Sequence, residues 1–306
     1  MATVVPPDQR AFQAALSQGG LVAAVQTAWV EMDGNRWMPA DAAIMFDRAG
    51  ITVWQGGLVS WDHGGAVRTS KDGSSWIDAV SGPGNASLET TVAFGDHLVL
   101  LGEGTPTTIG AWSSPDGSVW TPIKGAPLKM KAATTMQGGG LLAVGRAAPS
   151  ATWTTLDATK WKPAGDLEPA GAGTDTLYGV AASDARSVAI GDTGEAAAAW
   201  SSDDLRKWTR SPNIWGKDSY LSGITVVRGT FVITGRRGMT PVVWLSPDGR
   251  VWSAFDLPIA VGVNAEAIET IVRDGKLVDF GYSTEDAHNG GWIRTGYLVW
   301  TSVLPV

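Results

Sequence analysis

Tryptophans eight residues apart recur along the chain, at Trp29/Trp37, Trp112/Trp120, Trp153/Trp161, Trp200/Trp208, Trp244/Trp252 and Trp292/Trp300, and a further copy has Arg68 in place of the first tryptophan before Trp76. A unit repeated at fixed period cannot bury its apolar face alone, so the copies must stack on one another. The second tryptophans follow one another at a mean spacing of about 44 residues, which suits four short antiparallel strands per copy. Seven copies in 306 residues predict an all-β fold, a seven-bladed β-propeller of four-stranded antiparallel blades forming a single domain over 1–306. Such a ring leaves no long sheet edge exposed, and the expected state is a monomer.

Composition bounds the partners. The net charge of −7, with no cluster of either sign, lacks the basic surface that neutralises phosphates, so no nucleic acid is expected. No stretch reaches the roughly 18 apolar residues that a membrane span needs, so no membrane insertion is expected. Zero cysteines exclude disulfides, thiolate metal ligands and a cysteine nucleophile. No cofactor and no metal is expected.

The third repeat shows how one copy becomes one blade. Residues 90–95, 97–102, 110–114 and 118–123 read as four strands, and Ser114-Pro115-Asp116-Gly117 between the last two is a turn in which proline presets φ and glycine takes the left-handed position. Ser246-Pro247-Asp248-Gly249 repeats it, Ser70-Lys71-Asp72-Gly73 varies one residue, and Glu31-Met32-Asp33-Gly34 keeps Asp-Gly. The copies at Asp157 and Asp204 lose the glycine, and the one before Trp300 loses the aspartate. Ser-x-Asp-Gly-x-x-Trp, repeated over nearly the whole chain, resembles the Asp-box (BNR) repeat of sialidase-like β-propellers. That resemblance implies a structural turn at the blade periphery. Asp33, Asp72, Asp116, Asp157, Asp204 and Asp248 are therefore read as turn aspartates rather than catalytic or metal-binding groups.

Tight turns trim one end of each copy, and the long irregular connections lie at the other, where function is expected. Counting back a fixed distance from second-strand cores such as Leu98–Gly102 and Phe231–Gly235 puts Arg10, Asp47, Ser87, Met130, Thr176, Tyr220 and Glu266 at one level, facing the axial opening. Arg48 follows Asp47. Asp47 and Glu266 with Tyr220 and Arg10 supply a carboxylate pair, a phenol and a cation, the ingredients of glycoside hydrolysis or anionic-sugar recognition. Trp61 and Trp215, outside the repeat, are candidates to stack on a sugar ring. His63 and His288 are candidates, beside Asp62 and Asp286, to bind a metal or serve acid–base chemistry, although no His-x-x-His spacing supports a metal set, and Arg236, beside Arg237, could grip a carboxylate or phosphate.

The sialidases that carry this repeat are six-bladed and hold the substrate carboxylate with three arginines, the first in an Arg-Ile-Pro type motif. Neither Arg-Ile-Pro nor Arg-Leu-Pro occurs here. The expected function is a secreted or cell-envelope propeller, its export signal not among these residues, that binds a carbohydrate or a protein partner on its long-loop face. The alternative is a glycoside hydrolase or polysaccharide lyase at the channel mouth.

Overall fold

The computed structural model describes the backbone strands of residues 3–5, 13–17, 20–25, 27–31 and 37–39 and, from residue 50, everything except 74, 85, 104–109, 147–150, 169–175, 194–195, 213–214, 217, 274–275, 287–291 and 304–306. Among the described residues every regular element is a strand, and these strands fall into seven sheets. In chain order the first sheet is Gln13–Ser17, Gly20–Val25, Thr27–Glu31 and Trp37–Pro39, and the second is Gly50–Trp54, Gly57–Trp61, Val67–Ser70 and Ile77–Asp78. The third is Ser87–Phe94, His97–Glu103, Ala111–Ser114 and Thr121–Pro122, and the fourth is Met130–Thr135, Leu141–Gly145, Thr152–Thr155 and Lys162–Pro163. The fifth is Thr176–Ala182, Ser187–Asp192, Ala197–Ser202 and Lys207–Arg210, with Asp166–Leu167 added in parallel to its last strand. The sixth is Ser219–Val227, Thr230–Arg237, Thr240–Ser246 and Ser253–Asp256. The seventh takes Asn264–Arg273, Lys276–Asp286 and Trp292–Val303 from the C-terminal part of the chain and Thr3–Val5 from its start. Two compact units group these sheets, residues 10–164 in one and residues 1–9 with 165–306 in the other.

From the second sheet on, the middle of each second strand is buried, and in the third and fourth sheets it reads as a short apolar run, Leu98–Leu101 and Leu141–Val144. Leu98 and Leu100 pack with Val59 and Trp61 of the second sheet, while Val99 and Leu101 pack with Met130, Leu141 and Ala143 of the fourth. The repeated tryptophans fill the spaces between sheets: Trp112, Trp120, Trp153, Trp200, Trp208, Trp244, Trp252 and Trp300 are all buried.

The turn aspartates cap their own hairpins. Asp116 accepts from the amides of Ser118 at 2.8 Å and Val119 at 3.1 Å and from Ser114 Oγ at 3.1 Å, and the Trp120 indole donates to Gly117 O at 2.9 Å. Asp157, Asp204 and Asp248 make the same pair of amide contacts, and Asp72 accepts from Ser75 N. Asp33 lies outside the described residues. The turn also ties neighbouring sheets together. Trp54 Nε1 and Gln55 Nε2 donate to Pro115 O, Arg186 Nη1 donates to Asp248 O, and a β-carbon on Gly117 or Gly249 would strike Val59 or Val188 of the preceding sheet.

A second repeated feature lies at the opposite end of the sheets. In the third to seventh sheets the first strand skips one residue of register, at Glu89, Lys131, Tyr178, Ser222 and Ile268. Such a bulge bends the strand and re-aims the extra side chain. Opposite it stands a glycine of the second strand, Gly102, Gly145, Gly191, Gly235 or Gly281, whose β-carbon would lie 2.0 to 2.2 Å from the carbonyl oxygen of Ser87, Lys129, Thr176, Tyr220 or Glu266.

This register corrects two sequence expectations. Trp292 and Trp300 are not a pair of the repeating kind. Trp300 faces Asp279 as Trp112 faces Leu100 and Trp244 faces Ile233, so it is the first tryptophan of its copy, and the outermost strand of that sheet is Thr3–Val5. Met130 is not at the level of Ser87 and Tyr220. The fourth sheet's first hairpin has one residue more, with Gly138, Gly139 and Gly140 all at positive φ, so Lys129 takes the exposed position and Met130 is buried.

Candidate functional site

Three residues singled out from the sequence, Tyr220, Arg236 and Glu266, come together at the bulged ends of the sixth and seventh sheets. Tyr220, the second residue of the sixth sheet's first strand, stands directly opposite Arg236 of the second strand, and Glu266 holds the matching place in the seventh sheet. Arg236 Nε lies 3.3 Å from Glu266 Oε2, its Nη1 donates to Gly238 O at 2.8 Å, and its guanidinium carbon sits 5.8 Å from the centre of the Tyr220 ring. Glu266 is buried, with 7% of its surface exposed. It accepts from Ser222 Oγ at 2.6 Å on one oxygen and from Tyr282 OH at 2.9 Å on the other.

Tyr178, the bulge residue of the fifth sheet, stacks on Tyr220 with ring centres 5.8 Å apart and planes 17° from parallel. Burial, aided by the neighbouring Tyr220 hydroxyl and the Asp192 carboxylate, raises the Tyr178 phenol well above its ordinary value, so it stays neutral. Tyr220 itself remains 43% exposed, a large aromatic surface presented to solvent. Three of the chain's four tyrosines, Tyr178, Tyr220 and Tyr282, therefore meet here. The sequence reading missed Tyr178, Ser222 and Tyr282. The signal for the two tyrosines was their scarcity combined with a position at the bulge or beside its glycine; Ser222 is marked only by its place at the bulge.

The corresponding end of the third and fourth sheets is charged rather than aromatic. Lys131 Nζ lies 2.7 Å from Glu89 and 2.8 Å from Glu103. Burial alone would lower the ammonium, but hydrogen bonds to Glu103 and Glu89 outweigh it and raise Lys131, while the Lys131 bond holds the Glu103 carboxyl below its usual range.

Neither candidate stacking tryptophan reaches solvent. Trp61 is 3% exposed, its indole occupying the space where a β-carbon on Gly50 would stand. Trp215, 1% exposed, turns inward onto Trp244 and Trp252 with ring centres 5.6 Å away from each. Both gain more by filling the space between sheets than by standing in water. His63 lies half-buried in the turn after Trp61, where Asp62 accepts from Ala66 N. Arg237 pairs with Asp256 at 2.7 Å. Arg10, Asp47, Arg48, His288 and the side chain of Asp286 lie outside the described residues, so the carboxylate pair of Asp47 with Glu266 is not brought together in what is described. No group of three or more His, Cys, Asp or Glu suited to a metal ion occurs among the described residues, and no described helix is long and apolar enough to cross a membrane.

No protein-family model matches the chain, and no curated protein sequence matches it. Solved structures do. A streptogramin B lyase superposes with a TM-score of 0.72 at 8% identity, covering 99% of this chain and 98% of that one. YCF48 bound to a D1 peptide gives 0.65 at 15% identity over 100% and 97%, and BamB from Moraxella catarrhalis gives 0.54 at 11% over 98% of each. The fold is a β-propeller of four-stranded antiparallel blades. Identities this low carry the fold alone.

Proposed function

We propose that the chain is a single-domain, seven-bladed propeller of the Asp-box type that binds a protein segment, without catalysis, at the Tyr178–Tyr220–Arg236–Glu266 cluster. One observation carries this reading: Glu266 spends one oxygen on Ser222 and the other on Tyr282 and Arg236. A carboxyl so engaged is poorly placed to shuttle a proton, and it fixes the guanidinium instead. A held cation beside a half-exposed tyrosine is the kind of surface that anchors a protein partner, since tyrosine and arginine dominate interface energetics. A similar structure with a bound peptide, YCF48 with its D1 peptide, agrees with that use of the fold. Carbohydrate stacking loses support because Trp61 and Trp215 are buried. A secreted or cell-envelope location remains part of the proposal and is tested by fractionation.

The experiment is a peptide array and a glycan array probed in parallel, with a chromogenic glycoside panel for turnover. Binding to peptides that is lost in Arg236→Ala, with no turnover, is the expected outcome. Glycoside cleavage abolished by Glu266→Gln would establish the hydrolase alternative instead.

A further inference from the structure

The seventh sheet buries a carboxylate where the other six do not. Along the second strands, the residue opposite the first tryptophan of each copy, or Arg68, is Ala23, Ser60, Leu100, Ala143, Ala189 or Ile233, and in the seventh sheet it is Asp279 opposite Trp300. Asp279 is 1% exposed. Its Oδ1 accepts a short hydrogen bond from Thr270 Oγ1 on the neighbouring strand, and its Oδ2 has no partner among the described residues.

Strand alternation puts Asp279 on the same side as Leu277, which packs against Val232 and Val243 of the sixth sheet. The carboxyl thus points into an apolar contact between two sheets. An ionised carboxylate there, with one hydrogen bond and no countercharge, is far costlier than the neutral acid. Among the described residues no charged side chain acts on it. Burial pushes its pKa up to about 6 and the Thr270 hydroxyl alone opposes that.

We propose that Asp279 makes the packing of the seventh sheet on the sixth a proton-gated contact, closed around the neutral carboxyl and loosened when the carboxyl ionises. Because the folded-state pKa is raised, the stabilisation is fully present below the ordinary carboxylate value and is lost as pH rises through about 6. Glu266 and Tyr282 lie on the same two strands as Thr270 and Asp279, so the gate also governs how firmly Arg236 is held. That consequence rests on the binding reading. The gate does not.

Amide exchange of residues 276–286 under native conditions, corrected for intrinsic rates, tests the gate in the full chain without any ligand. In the wild-type protein the opening constant of these amides is expected to rise about tenfold between pH 5 and pH 8, and in Asp279→Asn to stay flat. Asp279→Leu, carrying the residue found at Leu100, provides the non-titrating reference if the asparagine variant does not fold. Carboxyl carbon shifts give an independent reading on the wild-type chain. A midpoint for Asp279 below pH 4.5, or exchange profiles for wild type and variant that rise in parallel, overturns the proposal.

Discussion

The carbonyl oxygen of Tyr220 lies 2.0 Å from where a β-carbon on Gly235 would stand, so the sixth sheet closes at its bulged end only because residue 235 has no side chain. The clash is with backbone, which cannot swing away. Gly235→Ala is expected to cost at least about 2 kcal/mol and to disturb Tyr220. Gly229→Ala, at φ 82° with nothing within 4 Å, should cost only the left-handed strain of about 1 kcal/mol. Equal denaturation midpoints for the two variants would contradict this account of the glycine.

The fifth sheet's turn has Leu205 at φ 60°, where the second, third and sixth sheets carry Gly73, Gly117 and Gly249 and the fourth carries Ala158 at φ 57°. Leu205→Gly relieves left-handed strain of about 1–2 kcal/mol and gives part of it back through the greater freedom of the unfolded chain. A net gain of up to about 1 kcal/mol in chemical denaturation is expected, and a loss would show that the leucine side chain earns its place by packing.

Backbone amides of Lys160 and Thr159 hold the Asp157 carboxyl down to about 2. For an acid whose folded-state value is depressed, the stabilisation is present above its ordinary value and fades as pH falls toward 2. Thermal melts of Asp157→Ala should therefore converge on those of the wild type as pH falls from 5 to 2. A constant gap across that range would mean that the turn does not depend on the charge.

Trp215 fills the space between Trp244 and Trp252, so Trp215→Ala is expected to cost about 3–5 kcal/mol as a core truncation, and Trp215→Phe considerably less. If Trp215 served a ligand from the surface, both variants would lose binding while keeping wild-type stability.

The tryptophan period was legible because the described repeat indoles, such as Trp112, Trp153, Trp200 and Trp244, take the same place in their sheets, and it disclosed the sheets and the turn aspartates. It misplaced the last copy. Trp292 happens to precede Trp300 by eight residues, while the outermost strand of that sheet comes from residues 3–5, a long-range pairing that no local spacing reveals. The fixed count places Tyr220 and Glu266, whose first hairpins are short, at equivalent register positions at the bulged end, and it misses at Met130, where an added residue shifts the register. Arg236, Tyr220 and Glu266 could be nominated from position. That Glu266 is held by Ser222 and Tyr282 depends on the bulge and on packing between sheets, which leave no short motif.

In the proposed function Tyr220 and Arg236 form a binding surface rather than a catalytic one. The most direct test is a titration of wild type, Tyr220→Ala and Arg236→Ala against a peptide selected on the wild-type protein, with folding of each variant checked by thermal melting. Each variant is expected to lose at least tenfold in affinity, about 1.4 kcal/mol, while staying folded. Undiminished affinity in both folded variants would contradict the assignment.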